Sequence, residues 1–263
     1  MPLTENHHAT TQDAGEAPRP LQGSLGTLVL RGLAAGVIAG IAAGAVAFLV
    51  GEPLIDAAIA IEEAAAHTDG ASHDHGEDAL VSRAGQKLGL FLATTLAGMA
   101  LGAIVAVIAH HSRRRVALSG PALVLAIAGC GWLALEAVPF FKYPANPPAV
   151  GDPATITERT LLWCGIVLVG LIAIGAGILA RSWVPARTGR ELHALASIAA
   201  FLAVVTTGYI VLPAVDEVGA EFPASLLWDF RMSSLLVQGT LWLVLGAAFA
   251  LLSERAAQRA ALD

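Results

Sequence analysis

The sequence predicts an all-α integral membrane protein of about six transmembrane helices, and three observations lead there. The 263 residues are 56% hydrophobic and only 14% charged, where a soluble domain carries about a quarter charged residues. The apolar residues come in long blocks rather than amphipathic stripes, and a block of about 18 or more with few charges reads as a membrane span. Arginine-rich connections alternate with acid-rich ones, as in a chain that crosses and recrosses a membrane. Each block is expected to be helical, because lipid cannot satisfy open backbone groups.

Taken in order, residues 1–27 are polar, with Pro18, Pro20, Glu5, Asp13 and Glu16 and no apolar core. They read as a disordered cytoplasmic tail rather than a secretory signal. The spans then run Leu28–Val50, Leu88–Ala109, Pro121–Phe141, Leu161–Ala180, His193–Leu212 and Met232–Leu252. Each is about 20 residues, enough for a bilayer core of about 30 Å. The membrane domain covers 28–254, with an acidic, histidine-bearing outer loop at 51–87, and 255–263 form a second cytoplasmic tail. In the first span Gly32, Gly36, Gly40 and Gly44 recur every fourth residue, a face on which a neighbouring helix backbone approaches closely. Cys130 and Cys164 fall at different depths of adjacent spans and are expected to stay unpaired.

Charge sets the orientation. Ten basic residues lie on one side of the spans, among them Arg19, Arg31, Arg113, Arg114, Arg115, Arg181 and Arg187, against five on the other: Arg83, Lys87, Lys142, Arg159 and Arg231. The positive-inside rule therefore puts both termini in the cytoplasm. Arginine outnumbers lysine thirteen to two in an Ala- and Gly-rich chain, a composition that points to a bacterial plasma membrane. Acids gather on the opposite side, including Glu52, Asp56, Glu62, Glu63, Asp152, Glu158, Asp216, Glu217 and Asp229, and a multivalent cation approaching there meets a negative mouth. The net charge of −6 argues against nucleic acid as a partner.

A weak internal repeat follows. The odd-numbered spans end beside an acid and a proline: Glu52 with Pro53, Glu136 with Pro139, and Asp216 with Pro213. The even-numbered spans are preceded by Arg83, Arg159 and Arg231. The acids are 84 and 80 residues apart and the arginines 76 and 72, as in three copies of one helix hairpin. The alternative is that prolines and charges gather at any interfacial helix end.

Two groups of residues point to chemistry. The first outer loop holds His67, Asp69, His73, Asp74, His75, Glu77 and Asp78. Imidazole with carboxylate suits borderline divalent ions such as cobalt, nickel and zinc, and the His73-x-His75 spacing lets both rings turn onto one ion. Against this stands a solvated polar loop that binds nothing. Glu136 is the most informative single residue, an ionisable side chain about a turn inside the third span. With Glu52 and Asp216 it is expected to line a cation path, unless each acid simply pairs with one of the arginines opposite. His110, His111 and His193 read as solvated helix ends. There is no Walker A loop, His-Glu-x-x-His motif, Gly-x-Ser-x-Gly elbow or dinucleotide fingerprint. No enzyme is expected, and no cofactor.

The order of features carries a likeness. A Gly/Ala-rich first helix ends in Glu52-Pro53, and an acidic, histidine-bearing loop follows. Then come the small-residue stretch 96–102, a third helix running into Pro139 and the segment 142–148, a Pro213-containing fifth helix, and a last helix with 241–246. This resembles the CbtA family of probable cobalt transporter subunits, from about Leu28 to Glu254. Members are usually described with five membrane segments, where six are counted here. The resemblance implies uptake of cobalt as transported substrate, and the imidazole and carboxylate ligands by themselves suit cobalt or nickel alike. The resemblance also implies a small CbtB-like partner with one span and a histidine-rich end, besides the membrane lipid itself. A non-transporting scaffold or assembly subunit, or a carrier of an organic solute, remain the alternative readings of the same residues.

Overall fold

Three serines start the helices that follow polar connections. The Oγ atoms of Ser24, Ser82 and Ser119 accept from the backbone N–H of Thr27, Gly85 and Ala122 at 3.2, 3.2 and 3.4 Å, satisfying donors that a helix N-terminus leaves open. The computed structural model describes residues 20–68 and 82–259, and side chains throughout these except at 65–68. The helices are α1 (Leu25–Val46), α2 (Glu52–Thr68), α3 (Arg83–Ser112), α4 (Gly120–Trp132), α5 (Val138–Lys142), α6 (Ile156–Trp183), α7 (Arg190–Val211) and α8 (Ala224–Arg259). One π-helical turn, Ala47–Gly51, joins α1 to α2, and another, Leu133–Ala137, joins α4 to α5. There is no strand among the described residues.

Six helical stretches are long and apolar enough to cross a membrane: Leu25–Ala64, Arg83–Ser112, Gly120–Lys142, Pro153–Trp183, Arg190–Val211 and Ala224–Arg259. Each covers one of the six expected spans, the fifth ending at Val211, one residue short of the expected Leu212, and the other edges differ for physical reasons. The first helix does not stop at Glu52-Pro53. The π turn bonds the Glu52 N–H to the Ala47 carbonyl, five residues back, and the widened turn accommodates a proline that would clash in a regular helix. Helix α2 therefore occupies Glu52–Thr68, where the sequence alone predicts a loop from residue 51. Nor are 20–27 a loose tail. Leu21 is buried in the core, Arg113 Nη1 donates to the carbonyls of Leu21 and Gly23 at 3.1 and 2.7 Å, and Arg31 Nη1 donates to that of Gln22 at 2.9 Å. At the other terminus α8 runs on to Arg259. It begins at Ala224, so Arg231 lies two turns inside the helix rather than ahead of it.

The glycine ladder lets two helix backbones approach closely. A Cβ on Gly32 or Gly36 would overlap the carbonyl of Gly102 or Gly98, and one on Gly40 would overlap that of Thr94. As one residue number rises the other falls by the same amount, so α1 and α3 are antiparallel along this seam. α8 packs on α1 and α4, placing Leu241, Trp242, Leu245 and Phe249 in the core beside Leu28, Ala35, Ala39, Val105 and Val124. α7 packs on α6, with Gly208 against Val169 and Gly177 against the Ser197 carbonyl. The packing thus departs from three equivalent hairpins: α7 leans on the helix before it, and α8 on the helices of the other two pairs. Leu192, Leu195, Ile198, Leu202 and Ile210 of α7 face outward, as suits a helix bounded by lipid.

Candidate binding cavity

The residues that could carry chemistry sit at one end of the bundle, the end where α3, α6 and α8 begin and α5 and α7 finish. Pro139 organises it. Its ring excludes a regular α turn, and the chain answers with the π turn Leu133–Ala137, in which the Val138 N–H bonds the Leu133 carbonyl. Glu136 stands in that turn, half-buried. Two glycines let its neighbours close in. A Cβ on Gly170 of α6 would meet the Ala134 carbonyl, and one on Gly131 would meet the Trp242 ring. The Trp242 indole N–H, buried itself, approaches the Glu136 carboxyl without reaching hydrogen-bond geometry. Glu136 has no cationic partner within ion-pair distance among the described residues.

Glu136 lines a cavity of about 780 Å³. Its walls come from the end of α5, the connection after it, the first turns of α6, the connection before α8, and α8 itself. Asp216 and Glu217 also line it, with Arg159 and Arg231, Tyr143, Asn146, Ser234 and Gln238. Two of the three acids singled out from the sequence, Glu136 and Asp216, thus share one cavity. Glu52 does not. It is buried on the far flank, where Arg83 Nη2 donates to Glu52 Oε2 at 2.6 Å and to Asp56 Oδ1 at 2.7 Å, and Lys87 Nζ reaches the same two acids at 3.8 and 3.2 Å. For Glu52 the pairing alternative is the one the geometry takes.

The bases of the cavity are bound unequally. Glu217 accepts from Thr155 Oγ1 at 2.6 Å and from the Asp152 N–H at 3.0 Å, and Arg159 Nε stands 3.4 Å away. These hydrogen bonds, with the arginine's charge, hold the Glu217 carboxyl below the usual carboxylate range. Gly151 takes φ +115°, and a side chain there would strike the Arg159 guanidinium, so glycine keeps this arginine in place. Arg231 has no acidic partner among the described residues. Its Nη2 donates to Asn146 Oδ1 at 2.9 Å, and its buried Nε has no acceptor. The connections are tied down at backbone carbonyls: Tyr209 Oη donates to Val138 O at 2.6 Å, Tyr143 Oη to Pro213 O at 2.6 Å and Lys142 Nζ to Tyr209 O at 3.0 Å.

Sequence reasoning found Glu136 and Asp216 but placed Arg159 and Arg231 only as helix-end charges, and it missed Trp242, Gly131, Gly170 and Asn146. Their signal is tertiary: a tryptophan and a glycine 111 residues apart that fill each other's space. His73, Asp74 and His75 lie outside the described residues. His67 ends in α2, and its side chain is likewise outside them. Among the described residues no three His, Cys, Asp or Glu side chains come together to hold a metal ion. Cys130 and Cys164 are free, as expected. His111 and His193 turn their Nδ1 atoms to carbonyls of the preceding turn, Val107 and Gly189.

A multi-pass helical membrane protein with a polar, charge-lined cavity at a bundle end belongs to the architectural class from which transporters are built. A family model described as "Probable cobalt transporter subunit (CbtA)" matches residues 25–254, and the chain belongs to that family. No curated protein and no solved structure matches it.

Proposed function

We propose that the chain is the membrane subunit of a cobalt uptake system, with the Glu136 end facing outside and both termini in the cytoplasm of a bacterial cell. The observation that carries this reading is Glu136 itself: a carboxylate inside a membrane span, without a cationic partner among the described residues, on the wall of a cavity in a chain of the cobalt transporter subunit family. An isolated charge at such depth is costly, roughly 2.5–3.5 kcal/mol at a helix centre on insertion scales and less near an end. A site that meets a cation repays that cost. Asp216 stands at the mouth of the same cavity and offers a first, exposed contact. His67, His73, Asp74 and His75 act as a tethered collector that raises the local metal concentration without fixing a path. Glu52 holds α2 to α3 and stays out of the path. A transporter subunit implies a partner, and a single-span, histidine-rich CbtB-like chain suits one that passes metal to or from this cavity.

Elemental analysis of cells with and without the chain tests the reading. Cobalt content is expected to rise with the chain. Replacing His67, His73 and His75 together is expected to weaken uptake at low cobalt and leave it intact at saturation. Equal cobalt in both cell types would end the metal assignment and leave a scaffold role.

A further inference from the structure

The cavity is large for a metal ion and poorly equipped to strip one. Six waters around an octahedral ion occupy about 180 Å³ at about 30 Å³ each, and the cavity offers about 780 Å³, inside the range of about 300–1,000 Å³ for small-molecule sites. Among the described residues no trio of metal-ligating side chains converges there to replace a hydration shell. Two guanidinium groups line the wall, and both repel a bare cation. Arg159 is committed to Glu217 and the Asp152 carbonyl. Arg231 is not committed to any acid among the described residues. It sits two turns inside α8, at the edge of the apolar block that begins at Met232, held from one side by the Asn146 amide oxygen, with a buried Nε that has no acceptor among the described residues. An unpaired arginine at such a place is as much a functional-site signal as an unpaired acid, and its planar fork matches a carboxylate.

We infer that Arg231 is an anion-binding residue and that the cavity takes a divalent cation together with a small carboxylate chelator, the carboxylate on Arg231 and the metal-bearing side toward Glu136. The chelator supplies the ligands that the cavity lacks, and the paired cargo offers a counter-charge to both Arg231 and Glu136. Ser234 and Gln238, one and two turns further along α8, and Asn146 opposite add neutral hydrogen-bonding groups for the remaining oxygens. This rests on the metal-uptake reading for its cation but not for its anion.

The test is isothermal titration of the full-length protein in a non-ionic detergent with three probes: cobalt chloride, citrate, and the one-to-one cobalt–citrate complex. The complex is expected to bind more tightly than either component. Arg231→Gln is expected to weaken it about tenfold or more, the loss for removing a charge-assisted hydrogen bond. Arg231→Lys, which keeps the charge without the fork, should fall between and carries the comparison if the glutamine variant does not fold. Citrate binding that Arg231→Gln abolishes, in a protein whose cells take up no cobalt, would uphold the anion site while the metal reading fails. Cobalt alone binding as tightly as the complex, with citrate inert, would overturn the inference and leave metal uptake standing. Loss of citrate binding on adding phosphatidylglycerol would also overturn it, because a lipid headgroup would then be the anion that claims Arg231.

Discussion

Glu52 and Glu136 occupy nearly the same local structure and opposite surroundings. Each lies at a π turn forced by a proline, Pro53 or Pro139, and each turn closes with an N–H bonding five residues back. The turns begin 86 residues apart, as do the prolines, whereas the acids are 84 apart. The repeated feature is thus the turn and its proline. Glu52 follows its turn and Glu136 stands within its own. That offset of two residues accompanies a change of neighbours. Glu52 is buried against Arg83 and Lys87, and Glu136 opens on a cavity with no cation within ion-pair distance of it among the described residues. A shared backbone device places a carboxylate near the bundle end, and the residues facing it decide whether the carboxylate is a fastener or a contact for cargo.

Four substitutions press on this contrast. The largest effect is expected from Glu136→Gln. Cobalt uptake should fall more than about tenfold, because a charged contact to a cation is worth roughly 1.5–3 kcal/mol, while the melting temperature of the purified protein stays within a degree or two. Normal uptake by a well-folded Glu136→Gln protein would remove this residue from the path. Glu52→Gln should do the reverse. It leaves Arg83 and Lys87 with Asp56 alone, at a cost of about 1–3 kcal/mol after allowing for the third of each cation that solvent reaches. The melting temperature should drop by several degrees with uptake per folded molecule retained. A matched loss of uptake in both variants would erase the distinction. The smallest effect is expected from the prolines. Pro139→Ala restores an N–H, lets the turn relax toward a regular helix and swings Glu136 off the cavity wall. Uptake should fall roughly threefold to tenfold, the scale of a small misplacement of a contact group. Pro53→Ala, measured in the same assay, should leave uptake unchanged.

Much of the fold was legible because hydrophobic blocks report immersion in lipid, and lipid admits one backbone solution. The six spans, the helix-contact face of Gly32, Gly36, Gly40 and Gly44, and the family follow from that pattern. The acid at 136 was legible too, since a charge in an apolar block advertises itself. What stayed hidden depends on tertiary neighbours. Pro53 reads as a stop signal, and only the π turn shows how a helix runs through it. Arg231 reads as the lead into a span, because the apolar block begins at Met232, yet α8 starts at Ala224 and carries the arginine inward. No spacing rule connects Trp242 to Gly131 or Gly170 to Ala134, and these contacts position the cavity wall.

The placement of α8 has a consequence for how the molecule is made. In order of synthesis this helix follows the other described helices, and it supplies Arg231, Ser234, Leu235 and Gln238 to the cavity and Trp242 to the flank of Glu136. The seam between α1 and α3 closes early, between segments that emerge one after the other. Glu136 must wait in the bilayer until this 36-residue helix arrives and docks on α1 and α4. A nascent chain released before that point holds an acid at membrane depth with one wall missing, the kind of intermediate that membrane quality-control proteases are built to find.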